Sequence, residues 1–223
     1  MEEIKSASEK IAGSLSSGRC PVCAMLRQDE FDILCEWVGK SDDKYNGSNF
    51  RDRLLASNGF CNYHFWEFER ISSHYGSARV ASGLLEQLIR TLRTGKRENL
   101  AVALKERGPT GASRCPLCFD LEQKEIGYLR ELEMMLREDM YKTMYLEGCG
   151  LCIPHFIKFL DYARNDSVVE FLFQSENSQT DKIRASAMNF ISKRAPHRRG
   201  EQTEDEKKSY FRAIEKLVGR RGV

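Results

Sequence analysis

The sequence predicts an all-α protein of two pseudo-repeated helical halves, each pinned by a Cys3His metal site, plus a C-terminal amphipathic helix. Three observations carry this. Apolar residues recur at three- and four-residue steps along most of the 223-residue chain, as on one face of a helix. No segment sustains the period-two alternation of a strand. And one metal-ligand motif is written twice in the same order: Cys20-Pro21-Val22-Cys23 then Gly59-Phe60-Cys61-Asn62-Tyr63-His64-Phe65, and Cys115-Pro116-Leu117-Cys118 then Gly150-Leu151-Cys152-Ile153-Pro154-His155-Phe156.

The elements follow in order. Met25, Leu26, Ile33, Leu34 and Val38 predict a first helix, interrupted by the loop signal Gly39 to Ser48. A short helix resumes at about 49–57 and leads to Gly59. Helices over about 62–74 and about 77–94 come next, then a short linking helix within 97–107. The segment Gly108-Pro109-Thr110-Gly111 is the boundary between a first repeat, 1–108, and a second, 109–223. In the second repeat, Leu121, Tyr128, Leu129, Leu132, Met135, Leu136 and Met140 predict one long helix over roughly 116–146. Helices over about 153–164 and about 167–193 follow, then a polar stretch, 195–205. The last helix, about 205–218, carries Tyr210, Phe211, Ile214, Leu217 and Val218.

Composition narrows the function classes. The formal net charge of +2 argues neither for nor against nucleic acid. No apolar run approaches the roughly 20 residues of a spanning helix. The opening stretch, MEEIKSASEKIAGSLSSG, has no apolar core of a secretory signal. The expectation is a cytoplasmic protein without a membrane association. Thiols stay reduced there, so the eight cysteines read as metal ligands rather than disulfides. No phosphate-binding loop, dinucleotide fingerprint, HExxH or GxSxG is present. That points to a non-enzymatic protein.

Each copy supplies three thiols and one imidazole as CxxC and CxxH pairs, a full tetrahedral set for Zn²⁺. The half-sites are separated by 37 residues in the first copy and 33 in the second. Proline after the first cysteine suits the first position of a helix. Cys20 and Cys115 are therefore candidate N-caps, and Cys61 and Cys152 parallel them. Helix N-termini favour anions, so thiolates form there readily. Chain order pairs Cys20 and Cys23 with Cys61 and His64, and Cys115 and Cys118 with Cys152 and His155; pairing across the copies is the alternative. Cys149 forms a further CxxC with Cys152 and is an alternative ligand to His155. Four ligands per site describe closed, structural zinc. A [4Fe–4S] cluster is the alternative cofactor, although such clusters normally take four cysteines. A redox dithiol leaves the CxxH half unexplained, and no CxxCH supports a c-type haem.

The remaining residues take ordinary readings. Cys35 reads as a buried core thiol, and His74 and His197 as surface residues. Phe60, Tyr63, Phe65, Trp66 and Phe68 read as packing around the metal. Lys193, Arg194, His197, Arg198 and Arg199 could contact phosphates, but Glu201, Glu204, Asp205 and Glu206 follow at once, as in a solvated loop. The expected function is a zinc-stabilised scaffold or adaptor for an unidentified protein partner. An iron–sulfur redox accessory protein and a nucleic-acid-binding protein are the alternatives.

The paired CPxC and GxCxxHF motifs, with the segment Phe211-Arg212-Ala213-Ile214-Glu215-Lys216-Leu217-Val218-Gly219, resemble an uncharacterised family of prokaryotic helical proteins. The resemblance covers about Cys20 to Gly219. It implies a metal-binding protein of unknown biochemical role, with ligands at Cys20, Cys23, Cys61, His64, Cys115, Cys118, Cys152 and His155. It implies no catalytic residues.

Overall fold

The computed structural model describes residues 7–42, 48–93, 115–193 and 201–220. Among the described residues all regular structure is helical. The helices are α1 (Ala7–Leu15), α2 (Pro21–Asp42), α3 (Ser48–Ala56), α4 (Asn62–Ile71) and α5 (His74–Arg93), then α6 (Pro116–Met135), α7 (Asp139–Glu147), α8 (Ile153–Tyr162), α9 (Asp166–Ser192) and α10 (Glu204–Val218). None is long and apolar enough to cross a membrane. The expected linking helix at 97–107, the Gly108–Gly111 boundary and Arg194, His197, Arg198 and Arg199 lie outside the described residues, as does most of the loop after Gly39.

One expected helix is two. The stretch 116–146 breaks after Met135, and α7 restarts at Asp139 with Glu138 in extended conformation as its N-cap. Apolar spacing continues through the break, which is why periodicity alone reads it as one helix. Among the described residues each CPxC helix is thus followed by a nine-residue helix and then the CxxH helix.

The chain forms two compact units, 1–27 with 124–223, and 28–123. Repeats taken in chain order give halves at 1–108 and 109–223; the compact units divide differently, with the divisions inside α2 and α6. In the first unit the core includes Ile11, Leu15, Met25, Leu132, Leu136, Tyr145, Phe159 and Leu172. The end of α1 lies against the end of α7 so closely that a Cβ on Gly148 would collide with the Leu15 carbonyl. Glu133 on α6 accepts hydrogen bonds from the Arg164 and Asn165 amides (2.6 and 2.7 Å), which fixes the turn between α8 and α9. Asn165 then caps α9, its side chain accepting from the Val168 amide.

In the second unit Leu34, Trp37, Phe50, Leu54, Phe60, Phe68, Leu84 and Leu117 form one core. Its aromatic centre is offset rather than face to face: Trp37 and Phe60 lie 5.4 Å apart, and Phe60 and Phe68 5.3 Å. The buried stripe of α2 runs Glu30, Leu34, Trp37. Cys35 falls on the opposite side and is exposed, not the core thiol expected. On α4, His64 and Phe68 face inward one turn apart. Trp66, about 200° from His64 around the axis, is 65% exposed and takes no part in the packing expected of it. His74 is exposed, as its sequence context predicts.

Candidate metal centres

All eight sequence-predicted ligands converge, but in exchanged pairs. Cys20 and Cys23 meet Cys152 and His155; Cys115 and Cys118 meet Cys61 and His64. The pairing by chain order is therefore corrected, and the cross-copy alternative is the observed one. Helix length gives the physical reason. α2, with 22 residues, advances about 33 Å, whereas the nine residues of α3 recover only about 14 Å. α3 by itself is too short to retrace α2 to its own CPxC. The chain brings His64 instead to Glu30, two turns beyond Cys23, where the His64 Nε2 stands 3.3 Å from the Glu30 Oε1. The second copy repeats the arithmetic with α6 and α7 of 20 and nine residues, and the His155 Nε2 lies 3.3 Å from the Glu125 Oε1. Each CxxH then takes its thiolate pair from the other copy.

Four helix starts build the sites. The carbonyls of Cys20, Cys61, Cys115 and Cys152 each accept the first helical hydrogen bond, from the amides of Ala24, Phe65, Phe119 and Phe156 at 2.8–3.1 Å. All four are N-caps in the backbone sense. Cys61 and Cys152 have extended backbones and make no side-chain cap bond, so their sulfurs are available as ligands. The glycine before each is explained too. α3 closes with the Asn58 amide bonded to the Leu55 carbonyl and the Gly59 amide to the Leu54 carbonyl, a Schellman end with Asn58 at φ 54. Gly59 follows at φ 97, and Gly150 takes φ 69 in the second copy, conformations that a Cβ penalises. A Cβ on Gly59 would stand 2.9 Å from Leu84, and one on Gly150 would collide with the carboxyl of Glu176 and the amide of Gln179.

The donor distances fit one ion per site. In the first centre the Nδ1 of His155 lies 3.4, 3.4 and 3.0 Å from the sulfurs of Cys20, Cys23 and Cys152, and Cys23 and Cys152 are 3.7 Å apart. In the second, His64 Nδ1 lies 3.3, 3.5 and 3.2 Å from Cys61, Cys115 and Cys118, with Cys61 and Cys118 3.8 Å apart. Zn–S and Zn–N bonds of ordinary length at tetrahedral angles place sulfurs about 3.8 Å apart and sulfur and nitrogen about 3.6 Å apart. Both clusters could hold a metal ion.

In the ion-free protein the four donors share protons unevenly. Burial opposes charge on both imidazoles. Hydrogen bonds donated to Cys115, Cys61 and Glu30 outweigh it for His64, and to Cys152, Cys23 and Glu125 for His155; each is lifted to about 11. Hydrogen bonds from Cys152 and Cys20 hold Cys23 far below the usual thiol range, and bonds from Cys115 and Cys118 do the same for Cys61. Cys20, by burial first, and Cys118, by bonds it donates to Cys115 and Cys61, are pushed up. Burial raises Glu125 as well, but His155 and Lys158 prevail and hold it below the usual range.

Three sets of residues escape a ligand-only reading of the sequence. The first is the glutamate pair. Glu30 and Glu125 each stand seven residues after the second cysteine of a CPxC; comparing the copies for acidic residues would have found them. Their contact with Nε2 leaves Nδ1 to face the sulfurs, an orienting role for metal-ligating histidines. The second is a buried network under the Cys152 loop. Glu176 on α9 accepts hydrogen bonds from the Tyr145 hydroxyl, the Leu151 amide (2.8 Å) and Lys216. Lys216 on α10 also donates to the Cys149 and Leu151 carbonyls at 3.1 and 2.8 Å. Nothing local in the sequence announces this pairing. The third is Gly219 at the end of α10, φ 77, whose Cβ would lie 3.5 Å from the sulfur of Cys152 and 3.7 Å from that of Cys23. Cys149 is not among the clustered donors and enters the network through its carbonyl. Of the basic stretch, Lys193 is described, and it is paired with Glu206 at 2.8 Å.

No curated protein and no solved structure matches the chain. A family model described as a family of unknown function, DUF6062, matches residues 14–222. That span contains both clusters, both glutamates and Lys216, and the chain belongs to this family.

Proposed function

We propose that the protein binds two structural Zn²⁺ ions and serves as a non-enzymatic scaffold or adaptor for a protein partner. The donor geometry carries the zinc reading. Four protein ligands per site within 4.8 Å of one another suit a single tetrahedral ion and leave no open position for catalysis. In a [4Fe–4S] cluster each cysteine takes a different iron of a multi-atom core, which needs more widely spaced sulfurs and normally four of them. Zinc would supply the tie that keeps sequence-distant helix starts together, and each histidine would hold its tautomer through Glu30 or Glu125.

The adaptor reading rests on α10. This helix is inverted: Glu206, Ser209 and Lys216 are buried, whereas Tyr210, Ile214, Leu217 and Val218 are 57, 54, 64 and 66% exposed. An apolar stripe on the outward side of a helix marks a surface for another macromolecule. Metal analysis of protein purified without oxygen tests the first part: two zinc per chain with no labile sulfide is expected, and about four iron per site would overturn it. For the second part, Ile214→Asp with Leu217→Asp is expected to keep both zinc ions and abolish co-purification of the partner. Unchanged association would remove α10 as the docking face.

A further inference from the structure

We propose that Cys61 and Cys118 are an oxidisable pair, a modification site at which a peroxide joins them in a disulfide and frees the ion of their centre. This rests on the metal-binding reading for the release, though not for the disulfide.

The two centres have the same donors and nearly the same spacings, but they are covered differently. In the first, Cys20, Cys23 and Cys152 are 8, 3 and 1% exposed, and Gly219 closes over two of the sulfurs. In the second, Cys115 is buried at 4%, while Cys61 and Cys118 are only partly buried. Their sulfurs lie 3.8 Å apart. Contraction to a bond of about 2.05 Å asks each sulfur to move by less than 1 Å. The corresponding sulfurs of Cys23 and Cys152 are as close, 3.7 Å, yet sealed. Distance alone therefore does not choose the pair; access does, because oxidation follows thiolate character and exposure.

The chemistry balances with hydrogen peroxide as the oxidant. One thiolate attacks a peroxide oxygen, breaks the O–O bond and becomes a sulfenic acid, with hydroxide leaving. The second sulfur attacks the first and forms the S–S bond; with the ion bound it is a thiolate and expels hydroxide, and without the ion it is a thiol whose proton leaves with that hydroxide as water. The two sulfurs lose two electrons, and the peroxide gains them. Two of four donors are then gone, and the remaining Cys115 and His64 cannot retain the ion. A thiol reductant reverses the bond and restores the site.

The test uses the full chain as a Cys35→Ser/Cys149→Ser variant, which removes the two thiols outside the clusters. Zinc content is measured first; two per chain supports the metal reading and none removes it. The sample is then titrated with hydrogen peroxide, with a zinc-sensitive dye reporting release and peptide mapping locating disulfides. Expected is release of one equivalent with a Cys61–Cys118 bond, reversed by dithiothreitol, and release of the second roughly tenfold more slowly. Equal release rates, a first bond at Cys23–Cys152 or at Cys115–Cys118, or oxidation without a disulfide would each overturn the proposal. Mapping decides the pair even in protein that carries no zinc.

Discussion

Removing cysteines two at a time reads out the exchanged pairing directly. Cys20→Ser with Cys152→Ser strikes one cluster twice; Cys20→Ser with Cys61→Ser strikes each cluster once. Serine is nearly isosteric but offers no thiolate, so a site left with two protein donors, or with three and a water, surrenders its ion to a chelator that the intact four-donor site resists. On the zinc reading proposed above, the first double variant should therefore retain one zinc per chain and the second none. Ligation by chain order gives the reverse. Stability should follow the same logic. A structural zinc contributes on the order of 10 kcal/mol of apparent binding free energy. Once Cys20→Ser has cost that ion, Cys152→Ser adds little, because substitutions within one network are not additive. Cys61→Ser forfeits a second ion and costs a similar amount again. Elemental analysis counts the ions, and the absorption of Co²⁺-substituted protein reports thiolates per site. One zinc in Cys20→Ser/Cys61→Ser, with none in Cys20→Ser/Cys152→Ser, would refute the helix-length argument and the architecture that follows from it.

Further outcomes are expected elsewhere. Lys216→Met strands the Glu176 carboxylate, whose side chain is 5% exposed. The cost should be about 3–5 kcal/mol, about 2 M in the urea midpoint at a slope near 2 kcal/mol/M, with zinc loosened in the Cys152 centre alone; a second change, Glu176→Gln, should recover part of it, and no recovery would discount the charge argument. Glu30→Gln and Glu125→Gln should each weaken zinc at one centre by about 10–100-fold, measured by chelator competition; equal weakening at both would contradict the pairing of glutamate with its own CxxH. Gly150→Ala combines the φ of +69° with a collision against Glu176 and Gln179, and should lower expression and the zinc count more than Gly59→Ala, which meets only the flexible end of Leu84. For the ion-free protein, stability should be flat from about pH 6.5 to 9 and fall on both sides. Histidines raised from 6.5 to about 11 stabilise it fully below 6.5 and lose that contribution as pH rises towards 11, while Cys23 and Cys61, lowered from 9.0, stabilise it fully above 9 and lose that contribution as pH falls. The two slopes cancel between those values. Urea midpoints after chelation check this, and a steady slope across neutral pH would show that the donors do not share protons as an ion pair.

The helical class, the cysteines and histidines of both clusters and the helix starts that carry them are legible in the chain, because these depend on local physics. Proline after Cys20 and Cys115, glycine before Cys61 and Cys152, and three- to four-residue spacing are each read within one or two turns of chain. The glutamates at seven residues past each CPxC repeat at the same short range, although they belong to no ligand motif. Which half-sites meet is a matter of packing, since two identical motifs in a row carry no information about partner choice; the lengths of α2 against α3, and of α6 against α7, bear on how far the chain returns. Periodicity ran through the break after Met135 and gave no warning of it. The inward Lys216 and the outward Ile214 and Leu217 were likewise beyond reach of pattern reading, because a helix moment shows which residues share a face and not which face the remainder of the protein covers.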